Sequence, residues 1–214
     1  MSSVRVHNFS ISLDGYGAGE GQSLETPFGH AGMRLMGWAL KTRTFQQMQE
    51  SPGGSVGADD AFASRWATGI GAEIMGRNKF GPQRGPWSDE TWRGWWGENP
   101  VFHTPVFVLT HYPRPSIEMD GGTTFHFIDA SPAEALAAAK DAAGGLDVRI
   151  GGGVSTVRQF LAADLIDQLH LVVAPIVLGR GERLWGGLEG IEHNFSIEST
   201  TTESGVTHLL FTRP

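Results

Sequence analysis

The segment Arg149-Ile150-Gly151-Gly152-Gly153-Val154-Ser155-Thr156 is the part of this 214-residue chain best suited to holding an anion. A glycine has no Cβ, so backbone and ligand can approach closely. An apolar strand before the glycines and a helix after them would put free N–H groups and a partial positive charge at the helix start. Ser155 and Thr156 would add hydroxyl donors. A tight strand-to-helix turn with no ligand would use the same residues, so at this point both readings stand. Two familiar phosphate motifs do not apply. Thr156 stands where the last glycine of G-x-G-x-x-G would fall, and there is no G-x-x-x-x-G-K-[ST].

Other chemistries are excluded. Gly53-Gly54-Ser55-Val56-Gly57 matches G-x-S-x-G, but Glu50-Ser51-Pro52 before it and Ala58-Asp59-Asp60 after it make a loop, not a strand-borne nucleophile elbow. The chain has no cysteine, which removes thiolate nucleophiles, disulfides and cysteine-ligated metals. The eight histidines show no metal-ligand spacing, so no metal is expected. A net charge of −7 argues against nucleic acid as a partner and leaves room for a local anion site. Thirteen arginines against three lysines favour bidentate phosphate or carboxylate contacts. No apolar run is long enough for a membrane span, and Met1 to Arg5 lead straight into a strand-like segment, so a cytoplasmic protein with a small-molecule substrate is expected.

The elements that would position these residues follow from patterning. Val4 to Leu13 reads as a strand ending at the Asp14-Gly15 turn. Residues 15–30 are a glycine-rich loop. Apolar residues from Met33 to Met48 recur with helical spacing. Asp59 or Asp60 could cap a helix that places Phe62, Trp66 and Ile70 on one face. Strands are expected at Glu73–Met75, Pro105–Thr110, Phe125–Ile128, Val148–Ile150 and His170–Leu178. Ser131-Pro132-Ala133-Glu134 has capping-box spacing, and its helix stops at Gly144-Gly145. Thr156 to Ala163 is helical, and Ser196–Ser199 with Val206–Thr212 form a terminal hairpin. Residues 81–104 carry four tryptophans, too many for a linker; a lid, a dimer contact and a packed Ω-loop all remain open. The alternation predicts an α/β sandwich around a mostly parallel sheet with an antiparallel C-terminal hairpin, in one domain over 1–214.

Five segments now fall in a recognisable order: Ser12-Leu13-Asp14-Gly15, Ile74-Met75-Gly76-Arg77-Asn78-Lys79, Phe107-Val108-Leu109-Thr110, Val148 to Gly153, and Asp167 to Gly179. In them the chain resembles the dihydrofolate-reductase-like superfamily, and more closely the reductase domain of the riboflavin-biosynthesis enzyme RibD. The resemblance implies a three-layer sandwich and an NADPH-dependent reductase of a small heterocycle, similar to 5-amino-6-(5-phosphoribosylamino)uracil reductase. Gly76, Arg77, Asn78 and Lys79 would then meet the adenosine phosphates, with Arg77 at the 2′-phosphate. Thr110 and His111 would sit near the adenosine half. Gly151, Gly152, Gly153, Ser155 and Thr156 would hold the pyrophosphate, with a cis peptide at Gly151–Gly152. Asp14 would be the acid, set against its reading as a plain turn residue. Trp38 would stack on the substrate, set against its reading as a core residue. A homodimer is the family's expectation. Dihydrofolate reductase proper is disfavoured because Arg34 to Ala39 carry no acid for the pterin. A nucleotide-binding protein without catalysis on the same fold is the remaining alternative.

Overall fold

A computed structural model describes residues 2–214. The strands are β1 (Val4–Ser12), β2 (Tyr16–Ala18), β3 (Ile70–Gly76), β4 (Pro105–Leu109), β5 (Ile117–Glu118), β6 (Thr124–Ile128), β7 (Asp147–Gly152), β8 (Gln168–Ala174), β9 (Glu182–Arg183), β10 (Ser196–Thr201) and β11 (Thr207–Thr212). The α-helices are α1 (Gly37–Leu40), α2 (Arg43–Met48), α3 (Ala58–Ala63), α4 (Arg77–Phe80), α5 (Pro132–Ala142) and α6 (Val154–Ala162). The main sheet has the order β10-β11-β8-β1-β7-β3-β4-β6-β5. β1, β7, β3, β4 and β6 pair in parallel, while β8, β11 and β10 pair antiparallel. This is the mostly parallel α/β architecture with a terminal hairpin that the sequence predicts. No helix among the described residues is long and apolar enough to cross a membrane.

The chain forms two compact units, Met1–Arg5 with Gly69–Asp167 and Val6–Thr68 with Gln168–Pro214. Each is discontinuous in sequence, so no linker marks a boundary between them.

In the first unit β3 is buried along nearly its whole length, as befits a parallel strand covered on both faces. Two helices approach it closely at its glycines. A Cβ on Gly71 would meet the end of α5 at Ala143, whereas one on Gly76 would meet Thr156 of α6. The β3–β7 register slips between Ile70 and Ala72, where Gly71 is the extra residue. The capping box is present: Ser131 and Glu134 bond each other's backbone N–H groups at the start of α5. The tryptophan segment packs inward. Trp96 lies 4.8 Å from Phe102, and Trp87 lies 5.4 Å from Phe127, both edge-on. Trp92 donates to the Phe80 carbonyl at 3.1 Å. These contacts give the segment the internal packing that a packed loop requires, and they leave the lid and dimer readings open.

In the second unit the long helix expected over Met33–Met48 is three short pieces: a 3-10 turn over Gly29–Met36, then α1 and α2. Gly32 breaks the first with non-helical angles (φ 54, ψ −149). Thr42 is extended and restarts the helix by capping the Phe45 N–H. The capping position before α3 is Gly57, not either aspartate; Asp59 and Asp60 instead occupy the first turn, where the helix dipole favours acids. Ile70 belongs to β3 and not to that helix. β8 ends at Ala174, before Pro175.

Candidate functional site

The three glycines after Ile150 are glycines for three different reasons. Gly151 is unmatched in the β7–β3 register, which slips from Ile74↔Ile150 to Met75↔Gly152. A Cβ there would lie 2.0 Å from Glu73 Oε1 and 2.5 Å from Lys79 Nζ. Gly152 has φ 111, a backbone conformation that other residues avoid. A Cβ on Gly153 would meet nothing within 4 Å. The cis peptide is Gly152–Gly153, one residue later than the resemblance suggests, because β7 runs on through Gly152.

Gly153 is also the N-cap of α6, with no side chain satisfying the first amides. Ser155 is exposed on the first turn, and Gln159 donates to its hydroxyl at 3.3 Å. Thr156 is buried against Gly76: a Cβ on Gly76 would stand 2.3 Å from Thr156 Oγ1. The structure therefore brings together the end of β3, the Gly153 turn and the start of α6. The open space at Gly153 and the absence of a side-chain cap on α6 are the two features an anion site at a helix start requires.

Beneath this turn lies a buried ion triad that sequence reading missed. Glu73 is 1% exposed and salt-bridged to Arg149, and its Oε1 accepts from Lys79 Nζ at 2.9 Å. Burial alone would raise the Glu73 pKa, but the Arg149 and Lys79 charges hold it below the ordinary carboxylate value. Burial lowers the Lys79 pKa, and Glu73 works against that shift. Lys79 is thus committed to Glu73 and not extended toward a ligand. The triad still leaves one net positive charge under the glycine turn.

Arg77 opens α4 and makes no salt bridge among the described residues. Its guanidinium carbon lies 3.8 Å from the Trp87 ring centroid and 5.5 Å from that of Tyr112. Nη1 donates to the Gly85 carbonyl, while Nε and Nη2 are buried without a partner. Burial and the Arg84 charge lower its pKa. Asn78, next on α4, is half-buried. Thr110 is buried at the end of β4, where its hydroxyl accepts from the Tyr112 N–H at 3.1 Å. His111 is 90% exposed and pairs with Asp129 at 3.0 Å.

The second unit holds the two residues expected at the substrate. Asp14 accepts from Ser12 Oγ at 2.6 Å, Leu178 N at 3.1 Å and Gly179 N at 2.7 Å. These donors, Ser12 foremost, lower its pKa to about 2. An acid with that pKa is ionised roughly 10⁵-fold over at pH 7. The carboxylate clamps the 178–179 turn, which opposes the proton-donor role expected for it. Trp38 is corrected more simply. It is 4% exposed, donates to Ser10 Oγ at 2.9 Å and packs with Ala39, Ala63, Val172 and Val206, so its ring has no face free for stacking.

The same unit contains a chain of buried imidazoles. The Asn8 N–H donates to His170 Nδ1 at 3.2 Å. His170 Nε2 meets His208 Nδ1 at 2.9 Å, and His208 Nε2 meets Asp59 Oδ1 at 2.9 Å. The first donor fixes every proton after it: both neutral imidazoles carry hydrogen on Nε2, and the chain points toward Asp59. Alternation along β8 and β11 could have placed both histidines inward; their mutual pairing could not be read. Among the described residues no three acids or histidines converge as a metal site.

The chain belongs to the RibD C-terminal domain family, whose match covers residues 5–209. Its fold is shared by a protein from Shewanella sp. PV-4 assigned to riboflavin biosynthesis, at 23% identity and TM-score 0.57, covering 100% of this chain and 99% of that one. It is also shared by a pyrimidine reductase-like protein from Corynebacterium diphtheriae, at 14% identity and TM-score 0.52, covering 100% of this chain and 92% of that one. No curated protein matches the chain in sequence.

Proposed function

We propose that the protein is an NADPH-dependent reductase of a small heterocyclic substrate, of the kind that acts on a pyrimidine ribosylamine. Membership of the RibD C-terminal domain family supports a reductase of this type. The observation that carries the reading is the pairing, within one unit, of an open glycine turn at an uncapped helix start with Arg77, a half-buried cation that makes no salt bridge among the described residues. Gly153, Ser155 and the α6 amides would hold the pyrophosphate, and Arg77 would take the 2′-phosphate that separates NADPH from NADH. Gly76 and Thr156 position that turn, and Thr110 ends the neighbouring strand. The bound cofactor supplies the hydride. A cytoplasmic homodimer goes with this reading, and light scattering on the purified protein tests the dimer.

Titration with NADPH and NADH, followed by tryptophan fluorescence, is the test. NADPH is expected to bind more tightly than NADH. Failure of both to bind at millimolar concentration would remove the reductase. Asp14 is proposed as a substrate-side positioning residue in its ionised form. Asp14→Asn should lower the melting temperature at pH 7 and leave the pH–rate profile unmoved; a shifted acid limb would restore Asp14 as the proton donor.

A further inference from the structure

Arg77 and Arg114 form a cationic pair around one indole ring, with neither guanidinium in a salt bridge among the described residues. Both guanidinium groups lie on one ring, 3.8 and 4.0 Å from the Trp87 centroid. Arg114 also lies 4.3 Å from the Phe127 ring. Burial and then the Arg77 charge depress the Arg114 pKa, against the Glu90 and Asp89 charges, which raise it. Arg114 is anchored through the Glu90 carbonyl at 3.1 Å and the Trp92 carbonyl at 2.7 Å, which leaves its Nε buried and unpartnered. On Arg77 the unpartnered atoms are Nε and Nη2. Those two nitrogens form the side-on edge of the guanidinium, the edge that grips two oxygens of one oxyanion. Buried donors without acceptors are unfavourable, so this edge is poised for a ligand and not at rest.

The group that suits the pair is a phosphomonoester. It carries close to two negative charges, enough for both arginines, and it offers three oxygens. A segment of the chain now holds the place. Gly85 supplies its carbonyl to Arg77 Nη1, Trp87 lies on the guanidinium, and the Trp87 indole N–H is pinned to the Tyr112 carbonyl at 2.6 Å.

We propose that Gly85–Trp87 is a latch over a phosphomonoester-binding pair, Arg77 and Arg114, and that an arriving phosphomonoester exchanges with the Gly85 carbonyl and displaces the Trp87 ring. The source of the phosphate, the cofactor's 2′-position, rests on the reductase reading; Arg114 and the latch go beyond it.

The test is calorimetric titration of the whole protein with 2′,5′-ADP, ADP and inorganic phosphate, in wild type, Trp87→Ala and Arg114→Gln. Wild type should bind 2′,5′-ADP well above ADP. Trp87→Ala removes the competitor and should tighten 2′,5′-ADP roughly five-fold, the worth of a lost cation–π stack. Arg114→Gln should weaken 2′,5′-ADP and leave ADP unchanged. Weaker 2′,5′-ADP binding in Trp87→Ala would make Trp87 part of the binding surface and overturn the latch. Equal binding of 2′,5′-ADP and ADP in wild type would overturn the pair. Inorganic phosphate binding as tightly as 2′,5′-ADP would overturn the cofactor as source. If Trp87→Ala does not fold, ¹⁹F spectra of wild type labelled with 5-fluorotryptophan decide. The Trp87 signal, identified by its loss in Trp87→Phe, should move with 2′,5′-ADP and not with ADP; a signal that stays put while 2′,5′-ADP binds overturns the latch. The two readings fail separately. NADPH turnover without a 2′-phosphate preference sinks the latch alone, whereas 2′,5′-ADP binding without nicotinamide turnover sinks the reductase alone.

Discussion

Two clusters of positive charge in the first unit share residue types and differ in what surrounds them. Arg149 and Lys79 close on a buried carboxylate, Glu73. Arg77 and Arg114 close on an indole ring, with no salt bridge among the described residues. The first cluster is satisfied from within and fixes the floor of the glycine turn. In the second, the Glu90 and Asp89 charges act on Arg114 from a distance, and Arg77 is left without a carboxylate partner among the described residues, as the proposed phosphate site requires. The difference teaches that a cation near a cradle is not by that fact a ligand contact; the partner it already has decides.

Breaking the first cluster should have the largest effect. Glu73→Gln leaves two cations buried with no counter-charge and should cost about 3–5 kcal/mol of stability, read from chemical denaturation. A loss under 1 kcal/mol would mean that the triad is not load-sharing. Next comes Gly151→Ala, whose methyl would collide with Glu73 and Lys79; overpacking of this kind costs about 1–3 kcal/mol. Gly153→Ala is its control. Its methyl enters open space at φ −73, so stability should change by less than about 0.5 kcal/mol while NADPH affinity falls roughly ten-fold. If the two alanines behave alike, the three glycines are one motif and not three constraints. The smallest change in stability is expected for Arg77→Met, which removes an uncompensated cation; its melting temperature should hold or rise, and its preference for NADPH over NADH should disappear.

Legibility in the sequence followed the range of each interaction. The α5 capping box lies within four residues, and its prediction matches the structure. β4 and the terminal hairpin, carried by local apolar runs and alternation, were equally readable. The glycine turn could be placed, because strand, glycines and helix are consecutive. The Glu73–Arg149 pair could not, since its partners are 76 positions apart and each sits in a strand of ordinary pattern. The Met33–Met48 periodicity misled because spacing alone does not report the break at Gly32 or the restart at Thr42. Trp38 carried two readings, and only its neighbours separate core from stacking platform. Asp14 stood at the right place for a turn, and its three donors decide its charge.

The imidazole chain has a consequence for how the protein meets acid. Burial foremost, then the neighbouring His208, His7 and Arg65 charges, lower the His170 pKa to about 3. An unfolded histidine takes up a proton near pH 6.5, so between about 6.5 and 3 the unfolded chain binds a proton that the folded one refuses. Stability therefore falls as pH drops through that window, by a few kcal/mol in all for a residue this buried. Unfolding there is a proton-uptake reaction, and its enthalpy should vary with the ionisation heat of the buffer. His170→Gln should flatten both dependences; unchanged slopes would place the acid sensitivity elsewhere. The hydrogen-bonded row that orders four elements of the unit at neutral pH is, in thermodynamic terms, a proton debt called in by acid.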